Sequence, residues 1–137
     1  MNNPLIAKKM ESLTHCLKRI EEKRPMELSS LRSDYDIQDI ISVNLERSIQ
    51  LCVDIAAIII SEKNLKTSNT MAGCFQALED NGILPVDLSG KLQSSVGFRN
   101  VSVHEYKSID WEIVFDIIHN HMINFKQYMK IILSENL

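Results

Sequence analysis

Apolar residues recur along most of the chain at alternating steps of three and four, the spacing that places them on one face of an α-helix. The first stripe predicts a helix capped by Asn3, with Pro4 in the first helical position, where a missing N–H costs nothing. The pair Arg24-Pro25 is expected to end this helix, because the residue before a proline disfavours helical geometry.

The longest stripe predicts a second helix, which starts near Ser33 or Asp34 and runs to about Lys63. A loop over Leu28 and Leu31 is expected to separate it from the first helix. The apolar positions keep the helical period throughout, so the run of isoleucines near the end is assigned to the helix rather than to a strand.

Capping and turn residues divide the rest of the chain into further helices. Thr67 or Ser68 is expected to cap a short third helix, because their hydroxyls can accept a hydrogen bond from the first turn. Asn81-Gly82 is expected to end that helix in a left-handed turn. Pro85 then allows a fourth helix to begin.

The fourth helix is expected to reach Tyr106, and a turn over 107–110 should follow it. Ser108 or Asp110 is the predicted cap of a fifth helix with one apolar stripe. The chain therefore predicts an all-α fold, an up-and-down helical bundle of four main helices plus one short helix, organised as a single domain over 1–137.

Composition supports a helical globular protein, with 45% hydrophobic residues but only 4 glycines and 3 prolines. The formal net charge of −3 excludes proteins that coat nucleic acid by bulk electrostatics, so RNA contacts would need a local basic cluster. Three cysteines without a CxxC pair indicate reduced thiols rather than disulfides or a zinc site. With no signal peptide or membrane span apparent, we expect a cytoplasmic protein without metal or cofactor.

An arginine interrupts the apolar stripe of the fourth helix. At about 100° per residue, with Leu88 at zero, Arg99 falls at about 20°, in the middle of the stripe. A buried, unpaired guanidinium is costly, so Arg99 should either pair with a carboxylate of another helix or face water or an anion. The candidate carboxylates are those of Asp39, Glu46 and Asp54.

Asn100 and His104 lie one turn apart on the flank of the same stripe. A histidine near a helix C-terminus can simply complement the helix dipole. It can also transfer protons, because the ordinary pKa of histidine, about 6.5, lies near neutral pH. In that case the amide of Asn100 could hold the imidazole by a hydrogen bond.

Arg99, Asn100, His104 and Tyr106 form the pattern R-N-x3-H-x-Y, which resembles the R-x4-H-x-Y signature of the HEPN superfamily. More narrowly, the chain is similar to HepT-type toxins of prokaryotic toxin–antitoxin pairs. The resemblance extends over about residues 35–130. The segments that carry it are NLERSIQLCVDIA at 44–56, FQALEDNGILP at 75–85 and GFRNVSVHEYKSIDWEIV at 97–114.

The resemblance implies a HEPN-like bundle that forms a homodimer, with the two motifs lining a shared cleft. It implies metal-independent cleavage of cellular RNA, with tRNA among the candidate targets, in which Arg99 and His104 are catalytic and Asn100 supports them. It further implies a partner, a minimal nucleotidyltransferase antitoxin of the MntA type. In such type VII pairs the partner neutralises the toxin by attaching AMP, here to Tyr106.

The residue chemistry is compatible with this function. An arginine fork can bind two non-bridging phosphate oxygens, and the two histidines of a dimer could divide the roles of base and acid. Lys107 and Arg47 are possible contacts for RNA phosphates, although Arg47 and Asp54 could equally be surface charges of the bundle. The sequence leaves two alternatives open: a non-catalytic HEPN module that binds a nucleotidyltransferase or nucleotide, and a structural dimerisation bundle.

Overall fold

The computed structural model describes residues 3–67 and 69–136, which form helices and turns without a strand. The helices are α1 (Pro4–Lys23), α2 (Leu28–Ser33), α3 (Tyr35–Lys63), α4 (Met71–Asp80), α5 (Val86–His104), α6 (Trp111–Asp116) and α7 (Met122–Asn136). A 3₁₀ turn (Tyr106–Ser108) follows α5, and a π-helical turn (Ile117–His121) joins α6 to α7. None of the helices formed by these residues is both long enough and apolar enough to cross a bilayer. The predicted all-α class is confirmed.

The two long N-terminal helices begin where the sequence predicts. Asn3 Oδ1 accepts a hydrogen bond from the Leu5 N–H at 2.8 Å, which caps α1. Asp34 Oδ1 accepts one from the Ile37 N–H at 3.1 Å, which caps α3. Each side chain satisfies an N–H that has no partner within its helix, so these local signals are sufficient to locate both starts.

The segment predicted as a loop after α1 contains the six-residue helix α2, so that prediction is wrong. Leu31 is fully buried where α2 packs against α3 and α6. Gln38 Nε2 of α3 donates to the carbonyl oxygens of Leu31 and Arg32, at 3.0 and 3.1 Å. A helix of six residues with one buried leucine is too short to show a hydrophobic periodicity in the sequence. It is stabilised by its contacts with distant elements. The described residues thus form three short helices, α2, α4 and α6, beside the longer ones.

The start of α4 lies later than predicted. Thr70 is the cap, because its Oγ1 accepts a hydrogen bond from the Gly73 N–H at 3.0 Å. The Thr67 hydroxyl instead donates to the Gly73 carbonyl oxygen at 3.2 Å. Ser68, the other predicted cap, lies outside the described residues. The predicted stop is confirmed, since Gly82 has a φ of 72°, in the left-handed region that glycine adopts easily.

The hydrophobic core forms around α3, which packs against α1, α4, α5 and α7. Tyr128 of α7 is fully buried in it, and its hydroxyl donates to the Cys52 carbonyl oxygen of α3 at 2.8 Å. Its ring packs edge-on against Phe75, with 5.9 Å between ring centroids. Apolar burial is the main stabilising contribution, and the hydrogen bond satisfies the polar atom that Tyr128 brings into the core.

The last helical segment is interrupted, although its apolar stripe predicts one continuous helix. Asp110 caps α6 as predicted, accepting hydrogen bonds from two N–H groups of the first turn. The π-helical turn between α6 and α7 is contacted from the end of α1. Arg24 Nη1 donates to the Ile118 carbonyl oxygen at 2.7 Å, and His119 Nε2 lies 2.8 Å from the Pro25 carbonyl oxygen. Because a π turn shifts the backbone hydrogen-bond register, a carbonyl becomes available to an outside donor, here Arg24.

Candidate active site

The predicted motif lies at the C-terminal end of α5, but the helix ends at His104 and does not reach Tyr106. The Glu105 N–H donates to the Val101 carbonyl oxygen at 2.8 Å, and the backbone then leaves the helix at Glu105, with φ −140° and ψ 56°. The 3₁₀ turn follows. Tyr106 therefore does not continue the stripe of α5, and the predicted extension of this helix to Tyr106 is wrong.

Arg99 is partly buried, and its Nε is buried without a hydrogen-bond partner among the described residues. No carboxylate in the same ranges lies within ion-pair distance of its guanidinium. The three candidate carboxylates have other donors, namely Tyr106 for Asp39, Ser102 for Glu46, and Gln50 and Lys9 for Asp54. The expected ion pair is therefore absent from residues 3–67 and 69–136, which leaves the guanidinium to water or an anion.

Asn100 and His104 are both exposed at this helix end. In the part of the chain that the structure describes, no hydrogen bond joins the Asn100 amide to the imidazole, so the predicted contact is not formed. His104 is the last residue of α5. Its exposure makes the imidazole accessible to a substrate.

Tyr106 lies on the 3₁₀ turn with 41% of its side chain exposed. Its hydroxyl donates to Asp39 Oδ1 of α3 at 2.9 Å, and its ring lies edge-on to Trp111 at 6.2 Å between centroids. Burial raises the pKa of the Tyr106 hydroxyl, and the hydrogen bond to Asp39 raises it further, while Ser42 acts in the opposite direction. The phenol is therefore protonated at neutral pH and held against α3.

The two possible phosphate contacts lie in different places. Lys107 is exposed on the 3₁₀ turn, directly after Tyr106. Arg47 lines a groove between α1 and α3, together with Lys8 and His15. The structure thus brings Lys107, but not Arg47, to the motif within one chain.

Sequence reasoning missed what Asp39 and Glu46 do, having considered both only as partners of Arg99. Asp39 accepts a hydrogen bond from Tyr106, which lies 67 residues away in the chain. Glu46 Oε2 accepts one from Ser102, 56 residues away, at 3.2 Å. Ser102 is buried, and a buried serine in an apolar stripe signals a nearby partner without identifying it.

A largely apolar cleft of about 820 Å³ lies between α5 and the segment formed by α6 and α7; Phe98 and Val101 line it, whereas the four motif residues do not. Gly90 and Gly97 of α5 line it, and a Cβ added at either glycine would meet open space. Ile113, exposed at 55%, lies on the opposite wall. Exposed apolar surface of this kind commonly marks a site of protein association or ligand binding.

Residues 13–132 match the family model described as ribonuclease HepT-like. The chain belongs to this family. It is 30% identical, over 133 residues, to the mRNA nuclease HepT of Shewanella oneidensis strain MR-1, with 97% of this chain and 99% of that protein covered. The predictions of a HepT-type protein and of membership in a ribonuclease family are confirmed.

Solved structures resemble this HepT-like chain closely. A crystal structure of a toxin–antitoxin with AMP-PNP gives a TM-score of 0.91 at 29% identity and covers 96% of this chain and 99% of the matched chain. A tri-AMPylated HEPN toxin of Shewanella oneidensis in complex with an MNT antitoxin gives 0.90 at 29% identity, with coverage of 97% and 99%. The HEPN-like fold predicted for the chain is confirmed.

The HepT-like site combines three kinds of reactive group at one helix end. Arg99 offers unpaired donors for an anion, His104 offers an accessible imidazole, and Tyr106 offers a partly exposed phenol. Arg99 and His104 are separated by five residues, a rise of about 7.5 Å along the helix and a rotation of about 140° around it. Within the described ranges, no group of three or more His, Cys, Asp or Glu side chains is positioned to hold a metal ion.

Proposed function

We propose that this HepT-like chain is a ribonuclease toxin that cleaves cellular RNA without a metal ion, in a cleft where two copies of the chain meet. The observation that carries the proposal is the Arg99 guanidinium, whose buried Nε has no partner in the described residues and which precedes the exposed His104 on the same helix. Similarity to an mRNA nuclease supports RNA as the substrate, and both mRNA and tRNA are candidates.

The chemistry requires a nucleophile, two proton transfers and a cation. The 2′-hydroxyl oxygen of RNA attacks the adjacent phosphorus, the bond from phosphorus to the 5′-oxygen breaks, and a 2′,3′-cyclic phosphate and a 5′-hydroxyl result. An imidazole suits both the removal of the 2′-hydroxyl proton and the protonation of the 5′-oxygen. Arg99 binds the non-bridging oxygens, whose negative charge increases in the transition state.

Two copies of the chain supply the two imidazoles that these proton transfers need. Gly90, Gly97 and His104 follow one another at intervals of seven residues, about two helical turns, and so lie along one side of α5. The two glycines line the apolar cleft. A second copy packed against this side would bring its own His104 to the edge of a shared cleft, which supports the homodimer.

The proposal includes a partner, an MNT-type nucleotidyltransferase that neutralises the toxin by attaching AMP to Tyr106. The similarity to a tri-AMPylated toxin bound to an MNT antitoxin supports this step, as does the 41% exposure of Tyr106. The added phosphodiester is an anion, which Lys107, the next residue in the chain, can bind, and the adenine occupies space that an RNA base needs. Asn100, exposed between Arg99 and His104, supports the site as a further polar contact for RNA.

The test uses purified chain with total RNA, with and without EDTA, followed by sequencing of the new ends. We expect cleavage that EDTA does not prevent and that falls about 100-fold or more in Arg99→Ala and His104→Ala. His15→Ala, at an exposed histidine of α1 outside the motif, is the matched control and should cleave normally. Equal behaviour of all variants, with binding to a nucleotidyltransferase intact, would instead favour the non-catalytic module.

A further inference from the structure

The Tyr106 hydroxyl has a hydrogen-bond acceptor on another helix. It donates to Asp39 Oδ1 of α3 at 2.9 Å, and both side chains are exposed to solvent. Among the described residues, Tyr106 also interacts with the buried Ser42 of α3 and the ring of Trp111 of α6, neither of which can accept a proton at neutral pH. Asp39 is therefore the group placed to receive the phenolic proton.

We propose that Asp39 is a catalytic residue for the modification of its own chain, accepting the Tyr106 proton as AMP is transferred. This inference rests on the proposed function, in which a nucleotidyltransferase partner supplies a bound nucleoside triphosphate. The Tyr106 Oη attacks the α-phosphorus, and the bond from the α-phosphorus to the oxygen that bridges to the β-phosphate breaks. Pyrophosphate leaves, and the phenolic proton moves to Asp39 Oδ1.

The distance and the chemistry both favour this role. At 2.9 Å the carboxylate oxygen is within reach for direct proton transfer, without an intervening water. A neutral phenol is a weak nucleophile, because its ordinary pKa is about 10. Burial raises the pKa of Tyr106 further, so the hydroxyl needs a base at the moment of attack. A toxin that carries this base can be modified by a partner whose active site has only to hold and orient the nucleotide.

A purely structural role of Asp39 is the alternative, in which the hydrogen bond merely fixes the 3₁₀ turn. The two roles differ in their dependence on pH. All variants keep the titratable groups next to Tyr106 in the chain, which are His104, Glu105 and Lys107. A change in the pH dependence of the rate that occurs only in Asp39 variants is therefore due to Asp39.

The experiment follows adenylylation of the purified chain by its cognate nucleotidyltransferase with ATP and Mg²⁺, using intact mass at timed intervals between pH 6 and 9. At pH 7 we expect Asp39→Asn to be modified about 100-fold more slowly than the unaltered chain. The Asp39→Asn rate should rise about tenfold per pH unit as hydroxide or the phenolate replaces the lost base, whereas the unaltered chain shows a much flatter profile. Asp39→Glu, which keeps a carboxylate, should keep the flat profile at a reduced rate.

Asp36→Asn is the matched control, because Asp36 is an exposed aspartate one turn earlier on α3. Asp39→Asn rates within about twofold of this control at every pH would overturn the Asp39 proposal. If Asp39→Asn is slow but shows the same pH profile as the control, the role of Asp39 is structural and the proposal is also overturned. Modification at Tyr106 itself is overturned if the adduct persists in Tyr106→Phe or if the unaltered chain acquires no adduct. These two outcomes would contradict the proposed function, whereas the Asp39→Asn outcomes contradict only the role of Asp39.

Discussion

Ser102 of α5 and Glu46 of α3 are joined by a hydrogen bond of 3.2 Å between the serine hydroxyl and the Oε2 atom of the carboxylate. Ser102 follows Arg99 by three residues, so the two side chains lie on neighbouring positions of one helical face. The serine thus gives Glu46 a partner on α5 close to Arg99, and among the described residues Glu46 makes no ion pair with that guanidinium.

Removing that hydrogen bond is expected to weaken RNA binding. In Ser102→Ala, Glu46 becomes free to pair with Arg99 and to compete with the substrate phosphate. We expect KM for RNA to rise about threefold to tenfold, with a smaller change in kcat, as for an ion pair of about 1 kcal/mol. Steady-state cleavage of a short RNA measures both constants. The double variant Ser102→Ala/Glu46→Gln should recover the original KM, and a KM that stays high in it would show that Glu46 is not the competitor.

We expect Arg99 to be required for RNA cleavage but not for the stability of the fold. Its buried Nε lacks a partner among the described residues, so replacing it with an apolar side chain of similar length removes an unsatisfied donor. For Arg99→Met we expect loss of RNA cleavage together with a free energy of unfolding that is unchanged or higher by about 1 kcal/mol. Urea denaturation measures the latter.

The variant Arg99→Lys distinguishes the contribution of the positive charge at position 99 from that of the planar guanidinium. Arg99→Lys keeps the positive charge but not the planar fork, so it should recover little of the cleavage activity. A decrease of about 3 kcal/mol or more in the stability of Arg99→Met would contradict the first expectation, because it would indicate a broken buried ion pair.

Alkaline pH should destabilise the fold through two buried groups. Burial raises the pKa of the Cys52 thiol and of the Tyr128 hydroxyl far above their ordinary values of 9.0 and 10.0. Above those values the unfolded chain has lost protons that the folded chain retains, so the free energy of unfolding falls as pH rises. Each group contributes up to about 1.4 kcal/mol per pH unit. The stability should therefore be constant with respect to these groups below pH 9 and should fall above it.

Urea denaturation between pH 8 and 10.5 tests this dependence. Cys52→Ala should reduce the decrease that begins near pH 9, and Tyr128→Phe should reduce the part that begins near pH 10. A remainder is expected, because the pKa values of Cys16, Cys74 and Tyr106 are raised as well. Tyr128→Phe should also lower the stability at pH 7 by about 1 kcal/mol, because the hydrogen bond to the Cys52 carbonyl oxygen is lost. An identical pH dependence in all three proteins would contradict the assignment to these groups.

Local signals in the sequence were sufficient for the long helices. Asn3 and Asp34 cap α1 and α3 through atoms a few residues away, and Gly82 ends α4 by its own backbone freedom. Those features depend on near neighbours, which the sequence displays directly. The pattern R-N-x3-H-x-Y likewise located Arg99 and His104 at one end of α5, since five residues of a helix have a fixed geometry.

Features that depend on distant residues were not predictable in the same way. The expected helix through Tyr106 fails because the tyrosine bonds to Asp39, 67 residues earlier in the chain. Helix α2 depends on Gln38 of the following helix, and the position of Arg47 toward α1 depends on how two helices pack. Short-range periodicity contains no information about these contacts.

The π-helical turn between α6 and α7 is joined to the end of α1 by a hydrogen bond. Arg24, which ends α1, reaches the Ile118 carbonyl oxygen that this turn exposes, just beyond the helix that starts after the Tyr106 segment. The helix α1 contributes no motif residue, but the Arg24 guanidinium at its end stabilises the turn that follows α6. Removing the chain up to and including Arg24 would delete the donor to the Ile118 carbonyl oxygen and should destabilise the turn that joins α6 to α7.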